Sequence, residues 1–218
     1  MHKSATTTVA APRRMNGFAA GIALLLAVLV LAACGAKTPA LPTLGADAAV
    51  LAFGDSLTFG TGAGENQSYP AVLQGLIGRK VYSAGVPGEV SAAGLARLPS
   101  ALEYYKPQLL ILCHGGNDFL RKLGKKQAAE NIRAMVRMAQ EKGVGVMLIA
   151  VPEMGLLASP PDFYEEIAKE SRIPYEDAAL SKILKNNELK SDLIHPNAMG
   201  YARLAEAVAG VLKKSGAI

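Results

Sequence analysis

The chain has no tryptophan, two cysteines and three histidines among its 218 residues. It contains no CxxC, no HExxH and no cluster of histidines, so nothing in it points to a metal site. The Gly-x-Ser-x-Gly turn is missing too, which excludes the usual nucleophile elbow of the α/β-hydrolases. Collagen-like periods, heptad arrays and long low-complexity tails are absent. So is the dense basic footprint that nucleic acid requires. The net charge is +5, but Lys3, Arg13 and Arg14 supply three of those charges within the first 33 residues, leaving +2 on the remainder. A chain of this length, 50% hydrophobic, buries a core without disulfides or metals.

The positive charge and much of the apolar excess sit at the front. A basic region ending at Arg13-Arg14 is followed by an apolar run from Phe18 to Ala33. That run is shorter than the ~20 residues a membrane-spanning helix needs. It ends in Leu31-Ala32-Ala33-Cys34-Gly35, with the small residues that a signal peptidase accepts. The ending resembles the lipobox of bacterial lipoproteins. The resemblance implies a signal peptide over residues 1–33, cleavage before Cys34, and acyl chains on that cysteine. Several chains hold firmly, at ~0.8 kcal/mol per buried CH₂. Gly35 after the cysteine, rather than Asp, implies retention at the outer membrane of a Gram-negative cell envelope. Arg13-Arg14 also resembles a twin-arginine signal. Residues 34–49 then read as the lipidated cysteine and a tether, and residues 50–218 as the functional domain.

From Val50 onward, short apolar runs alternate with helical patterns. Strands are expected at Val50–Phe53, Val81–Ser83, Leu109–Leu112 and Val144–Val151, with a weaker fifth after Ile173-Pro174. Helical spacing marks Tyr69–Ile77, Ser91–Leu98, Gln127–Lys142, Asp162–Ser171 and a last helix capped by Asn197 and running to Lys214. Alternating βα units with continuous apolar strands predict an α/β fold with a parallel sheet covered on both faces. Cys113, at the end of an apolar run, reads as a core thiol.

Ligands of such sheets bind beyond the carboxyl ends of the strands. Four polar, glycine-rich segments follow the strands or precede the last helix: Gly54-Asp55-Ser56-Leu57, Gly85-Val86-Pro87-Gly88-Glu89, Gly115-Gly116-Asn117-Asp118 and Asp192-Leu193-Ile194-His195-Pro196. A serine nucleophile needs a base, usually imidazole. His2 leaves with the signal segment, so His114 and His195 are the candidates. His195 has Asp192 three residues before it, and on a tight turn that spacing lets a carboxylate orient the imidazole. His114 has no carboxylate at comparable spacing.

The four segments, in this order, resemble the signature blocks of the GDSL or SGNH hydrolases, with Ser56 in GDSL, Gly88 in AGVPGE, Asn117 in GGND and His195 in DLIHPN. The resemblance runs from about Val50 to the end. It lies closest to the small bacterial arylesterase, lysophospholipase and acyl-thioesterase group. It implies a three-layer, flavodoxin-like sheet of about five parallel strands. It also implies a nucleophile at Ser56, a base at His195 and a third triad member at Asp192. The oxyanion hole would consist of the N–H groups of Ser56 and Gly88 and the side-chain amide of Asn117. Two positions depart from the family pattern. Ser83 stands where Asn is common, and Cys113-His114 precede the Gly-Gly-Asn-Asp block where an acidic or apolar residue is expected. His114 is left with three possible roles, a contact to substrate, a contact to Asp118, or a filler of space.

The implied activity is hydrolysis of small carboxylic esters, thioesters or lysophospholipid-like lipids through an acyl-enzyme on Ser56, with no cofactor. Two other readings share these residues: an O-acetylesterase acting on carbohydrate or peptidoglycan, and a non-catalytic envelope lipoprotein. The apolar segment Glu153–Asp162 is expected to form a lip of the pocket, with Leu156, Leu157 and Phe119 against an acyl chain.

Overall fold

Five parallel strands in the order β2-β1-β3-β4-β5 form the centre of the computed structural model: β1 (Ala49–Gly54), β2 (Lys80–Gly85), β3 (Leu109–Cys113), β4 (Gly145–Ile149) and β5 (Tyr175–Glu176). The structure describes residues 38–153 and 159–218. The 1–33 segment, Cys34, Leu156 and Leu157 lie outside the described residues. The compact unit is Thr38–Ile218.

The continuous apolar runs are explained by burial on both faces. Val50–Phe53 of β1, Leu109–Cys113 of β3 and Val146–Ile149 of β4 are all buried. Around them run α1 (Ser56–Phe59), α2 (Tyr69–Ile77), α3 (Ser91–Tyr105), α4 (Gly116–Leu120), α5 (Lys125–Glu141), α6 (Phe163–Ser171), α7 (Ala179–Lys185) and α8 (Ala198–Lys214). Helix α2 packs with α8, while α3 meets α5 and α5 meets α6. With this strand order, the right-handed crossover rule for parallel strands puts these two sets on opposite faces of the sheet. The strand order reverses between β1 and β3, which opens the crevice where ligands bind in such sheets.

Two stretches differ from the sequence expectation. Helix α3 runs through Pro99 to Tyr105 instead of stopping at Leu98, because Leu98, Ala101 and Leu102 continue one buried stripe. That burial outweighs the one hydrogen bond Pro99 cannot donate. Strand β5, by contrast, lies where the weaker fifth strand was expected, after Ile173-Pro174, and pairs at Leu148–Tyr175 and Ile149–Glu176. The stretch read as a tether is part of the fold from Leu41 on. Leu41 N–H donates to the Ser215 carbonyl at 3.0 Å, Leu44 N–H donates to Ala217 at 2.8 Å, and the Leu44 side chain is buried.

Candidate active site

Ser56 is the first residue of α1, immediately beyond β1. Asp55 caps that single turn, its Oδ1 accepting from Leu57 N–H at 3.0 Å. The turn aims the serine hydroxyl at the last loop of the chain, where His195 Nε2 lies 3.0 Å from Ser56 Oγ. His195 Nδ1 is 2.8 Å from Asp192 Oδ2, and the other carboxylate oxygen accepts from the N–H groups of Ile194 and His195, both at 2.8 Å. A carboxylate only accepts, so Nδ1 carries the hydrogen and Nε2 is left to accept from Ser56. Burial pushes the Asp192 carboxyl up, but the bonds from His195 and the two N–H groups outweigh it, and its pKa lies below the usual aspartate value. The loop is pinned from outside the turn. Asn197 Nδ2 donates to the Glu188 carbonyl at 2.8 Å, and Tyr201 Oη on α8 donates to Thr61, just after α1, at 2.8 Å.

Gly88 lies in the loop between β2 and α3 with φ +75°, a conformation that glycine adopts without strain. Asn117 is the second residue of α4, beyond β3. Its Nδ2 donates to Asp55 Oδ2 at 3.2 Å and to the Glu89 carbonyl at 3.0 Å. The Gly88 and Asn117 segments therefore meet across the crevice next to Ser56. Asp55 is fully buried, and burial raises its pKa, with His114, Leu57 N–H, His195 and Asn117 acting against the rise.

Sequence reasoning did not find what holds these segments together. The Glu89 carboxylate takes a bidentate bond from Arg97 (Nε 2.9 Å, Nη2 2.7 Å) and a third contact from His114 Nε2 at 3.2 Å. Burial pushes Glu89 up, but the Arg97 bonds and then His114 outweigh it and hold its pKa at about 2. Arg97 also lies over the Phe53 ring, 4.0 Å from its centre. His114 is wholly buried, and its Nδ1 accepts from Gly115 N–H at 3.1 Å, so Nε2 carries the hydrogen and donates to Glu89. The buried ring does not line the Ser56 cavity and does not bond Asp118; it bonds Glu89. Asp118 instead accepts from Ser91 N–H at 2.8 Å and Ser91 Oγ at 2.7 Å, with Asn131 donating to the same hydroxyl. Ser83, the other departure, donates to the Thr58 carbonyl at 3.1 Å and so steadies α1. Cys113 is buried, and burial pushes its thiol well above the usual range, as expected of a core cysteine.

A cavity of about 320 Å³ opens beside Ser56, Asn117 and His195. Its apolar wall includes Phe119, Leu120, Val151, Leu184 and Ile194. Phe119 lines the cavity, while the other two residues expected against an acyl chain, Leu156 and Leu157, lie outside the described residues. A serine hydroxyl on an imidazole base, in a cavity it shares with the Asn117 amide and an apolar wall, is chemically equipped for acyl transfer.

The comparisons agree with that chemistry. The pattern of the GDSL-like Lipase/Acylhydrolase family matches residues 52–203. Esterase TesA of Pseudomonas aeruginosa is 29% identical over 177 residues, covering 75% of this chain and 87% of that protein. The Thioesterase 1/protease 1/lysophospholipase L1 of Escherichia coli K12 is 26% identical over 178 residues, covering 75% and 83%. A crystal structure of TesA superposes with a TM-score of 0.69 at 29% identity, covering 76% of this chain and 98% of its own. This chain belongs to the GDSL-like lipase/acylhydrolase family.

Proposed function

We propose that the protein is a serine esterase acting on acyl esters or thioesters, with Ser56 as nucleophile, His195 as base and Asp192 as the group that orients and stabilises the imidazole. The observation that carries the reading is the unbroken hydrogen-bonded line Asp192–His195–Ser56, at 2.8 and 3.0 Å, on the wall of an apolar cavity. Ser56 Oγ attacks the substrate carbonyl carbon as its proton passes to His195 Nε2. The tetrahedral oxyanion is met by the N–H groups of Ser56 and Gly88 and by Asn117 Nδ2. Collapse expels the alcohol or thiol, which takes the proton from His195 and leaves the acyl group on Ser56. Water, deprotonated by the same imidazole, attacks the acyl-enzyme, and the serine regains its proton as the acid departs.

Both hydrogens of Asn117 Nδ2 have partners in the resting site, Asp55 and the Glu89 carbonyl. Donation to the oxyanion therefore means sharing one of them. The full charge on the tetrahedral oxygen makes it a stronger acceptor than the neutral Glu89 carbonyl, so the bond strengthens as the transition state forms.

Residues 38–218 assayed on p-nitrophenyl esters from acetyl to palmitoyl test the proposal. Hydrolysis that Ser56→Ala abolishes, with a phosphonate adduct mapped to Ser56, is the expected result. A folded protein inactive on the whole series would overturn it. Lipidation at Cys34, holding the protein on the periplasmic face of the outer membrane of a Gram-negative cell envelope, is part of the same proposal and is supported by the Leu31-Ala32-Ala33-Cys34 ending. Cys34→Ser should leave the precursor uncleaved or soluble. Identical N-terminal mass and detergent partition in both forms would remove the anchor.

A further inference from the structure

The edge of the sheet that carries Ser56 also carries most of the large apolar side chains that the fold leaves in water. Among the described residues nine such side chains are exposed, and six of them stand on this edge: Phe59, Val86, Leu120, Leu123, Leu193 and Met199. Phe59 ends α1, Val86 follows β2, and Leu193 sits between Asp192 and His195 with 74% of its surface exposed. Leu120 and Leu123 flank the turn between α4 and α5, both about half exposed. Exposed leucines scattered singly need no explanation, but a concentration around one cavity mouth does.

The same turn concentrates positive charge. Residues 119–129 contain Arg121, Lys122, Lys125 and Lys126 and no acid. Arg121 donates to the neutral Gly88 carbonyl at 2.8 Å and Lys125 pairs with Glu153 at 2.6 Å, while Lys122 and Lys126 have no ion pair among the described residues. Lys125 and Lys126 occupy the first turn of α5, which has no acid and no side-chain cap. The helix dipole disfavours cations there, so folding does not account for them. The turn is built rather than slack, with Lys122 N–H donating to Phe119 and Leu123 N–H donating to Asp118. Leu120 and Lys122 also line the cavity, so the patch and the mouth share one face.

We propose that this edge docks on an anionic bilayer, with Leu120 and Leu123 among the upper acyl chains and the cations of residues 121–126 among the headgroup phosphates. Leucines separated by cations suit a fluid surface of acyl chains and phosphates, whereas a protein partner would seat on a continuous groove. Docking sets the mouth of the Ser56 cavity against ester lipids of the membrane. That consequence rests on the esterase reading, but the docking does not.

The test uses residues 38–218, which lack Cys34. A relative whose crystallised chain is covered to 98% by 76% of this one folds at that length. The protein is sedimented with vesicles of phosphatidylcholine alone and of phosphatidylcholine with equal phosphatidylglycerol. The variant is Leu123→Ser with Lys126→Glu, two residues outside the cavity wall; glutamate at position 126 suits the helix dipole, so folding is retained. Binding is expected to anionic vesicles only, to weaken with salt, and to fall about tenfold in the variant while hydrolysis of soluble p-nitrophenyl acetate is unchanged. No binding, equal binding to both vesicles, or equal binding by both proteins would overturn the proposal. So would concentration-dependent self-association without vesicle binding, which would assign the face to a second copy. Vesicle binding by a protein that fails on soluble esters supports docking and removes the esterase reading.

Discussion

The carbonyl of Glu89 accepts a hydrogen bond from the side chain of Asn117 at 3.0 Å, joining the loop after β2 to the turn after β3 across the crevice in which Ser56 stands. The carboxylate of the same glutamate is held by Arg97 and His114. One residue thus ties the Gly88 loop both to α3 and to the end of β3. The placement of the proposed oxyanion donors therefore depends on the Glu89–Arg97–His114 cluster as well as on the donors themselves.

Asn117→Ala is expected to lower kcat roughly 10²–10³-fold with little change in KM, the scale of losing one oxyanion donor. Asn117→Asp should be worse, because it sets a carboxylate against Asp55, which Asn117 now meets at 3.2 Å. Steady-state rates on a short-chain ester, with thermal melts of each variant, check this. A folded Asn117→Ala protein with the wild-type kcat would remove Asn117 from the site.

Removing the Arg97 guanidinium leaves the Glu89 carboxylate with the hydrogen bond from His114 Nε2 and no cationic partner. Arg97→Ala should cost about 2 kcal/mol, between the values for exposed and fully buried pairs, and should lower kcat more than it raises KM. The pH dependence follows from the Glu89 carboxyl, which lies at about 2 in the fold against an ordinary value of 4.5. A depressed acid contributes stability that is complete above its unfolded value and is lost as the pH falls through its folded value. The wild type should therefore lose this contribution between pH 4.5 and about pH 2, and the variant should show less of that loss. Urea titrations across the acid range measure the difference.

His195→Ala should lower kcat roughly 10⁴–10⁶-fold without unfolding the protein. His114→Ala should cost far less activity and more stability, since it empties a buried site and takes a donor from Glu89. Rates and melting temperatures of the pair, measured together, separate base from brace. The opposite ranking would reverse the assignment.

Gly94 on α3 packs against the His114 ring, and a Cβ added there would lie 2.3 Å from Nε2. Gly94→Ala should push the ring off Glu89, with ~1–3 kcal/mol lost to overpacking and a fall in kcat. In a double-mutant cycle, His114→Ala should recover much of the Gly94→Ala loss, because the alanine then has room. Additive losses would mean that the two sites are not in contact.

Much of the site was legible because its chemistry is local. Asp192 and His195 lie three residues apart on one turn, and Ser56 and Asn117 each follow an apolar run long enough to identify as a strand. Backbone geometry within a turn, and periodicity along a run, are properties of neighbouring residues that the sequence determines by itself. The partner of His114 was not legible. Glu89 lies 25 residues before it, in another loop, and Arg97 comes from a third element. Only the order β2-β1-β3, with α3 laid against β1, brings those three together. The same applies to Leu41 and Leu44, whose partners Ser215 and Ala217 stand at the far end of the chain. It applies also to α3, where a stripe packed against the core carries the helix past a proline that local rules would treat as its end. Residue type and spacing, with the resemblance of the four blocks, pointed to the groups proposed to act. Packing between distant segments decided which groups hold them in place, because a buried charge or imidazole is tolerated only where the fold supplies its partner.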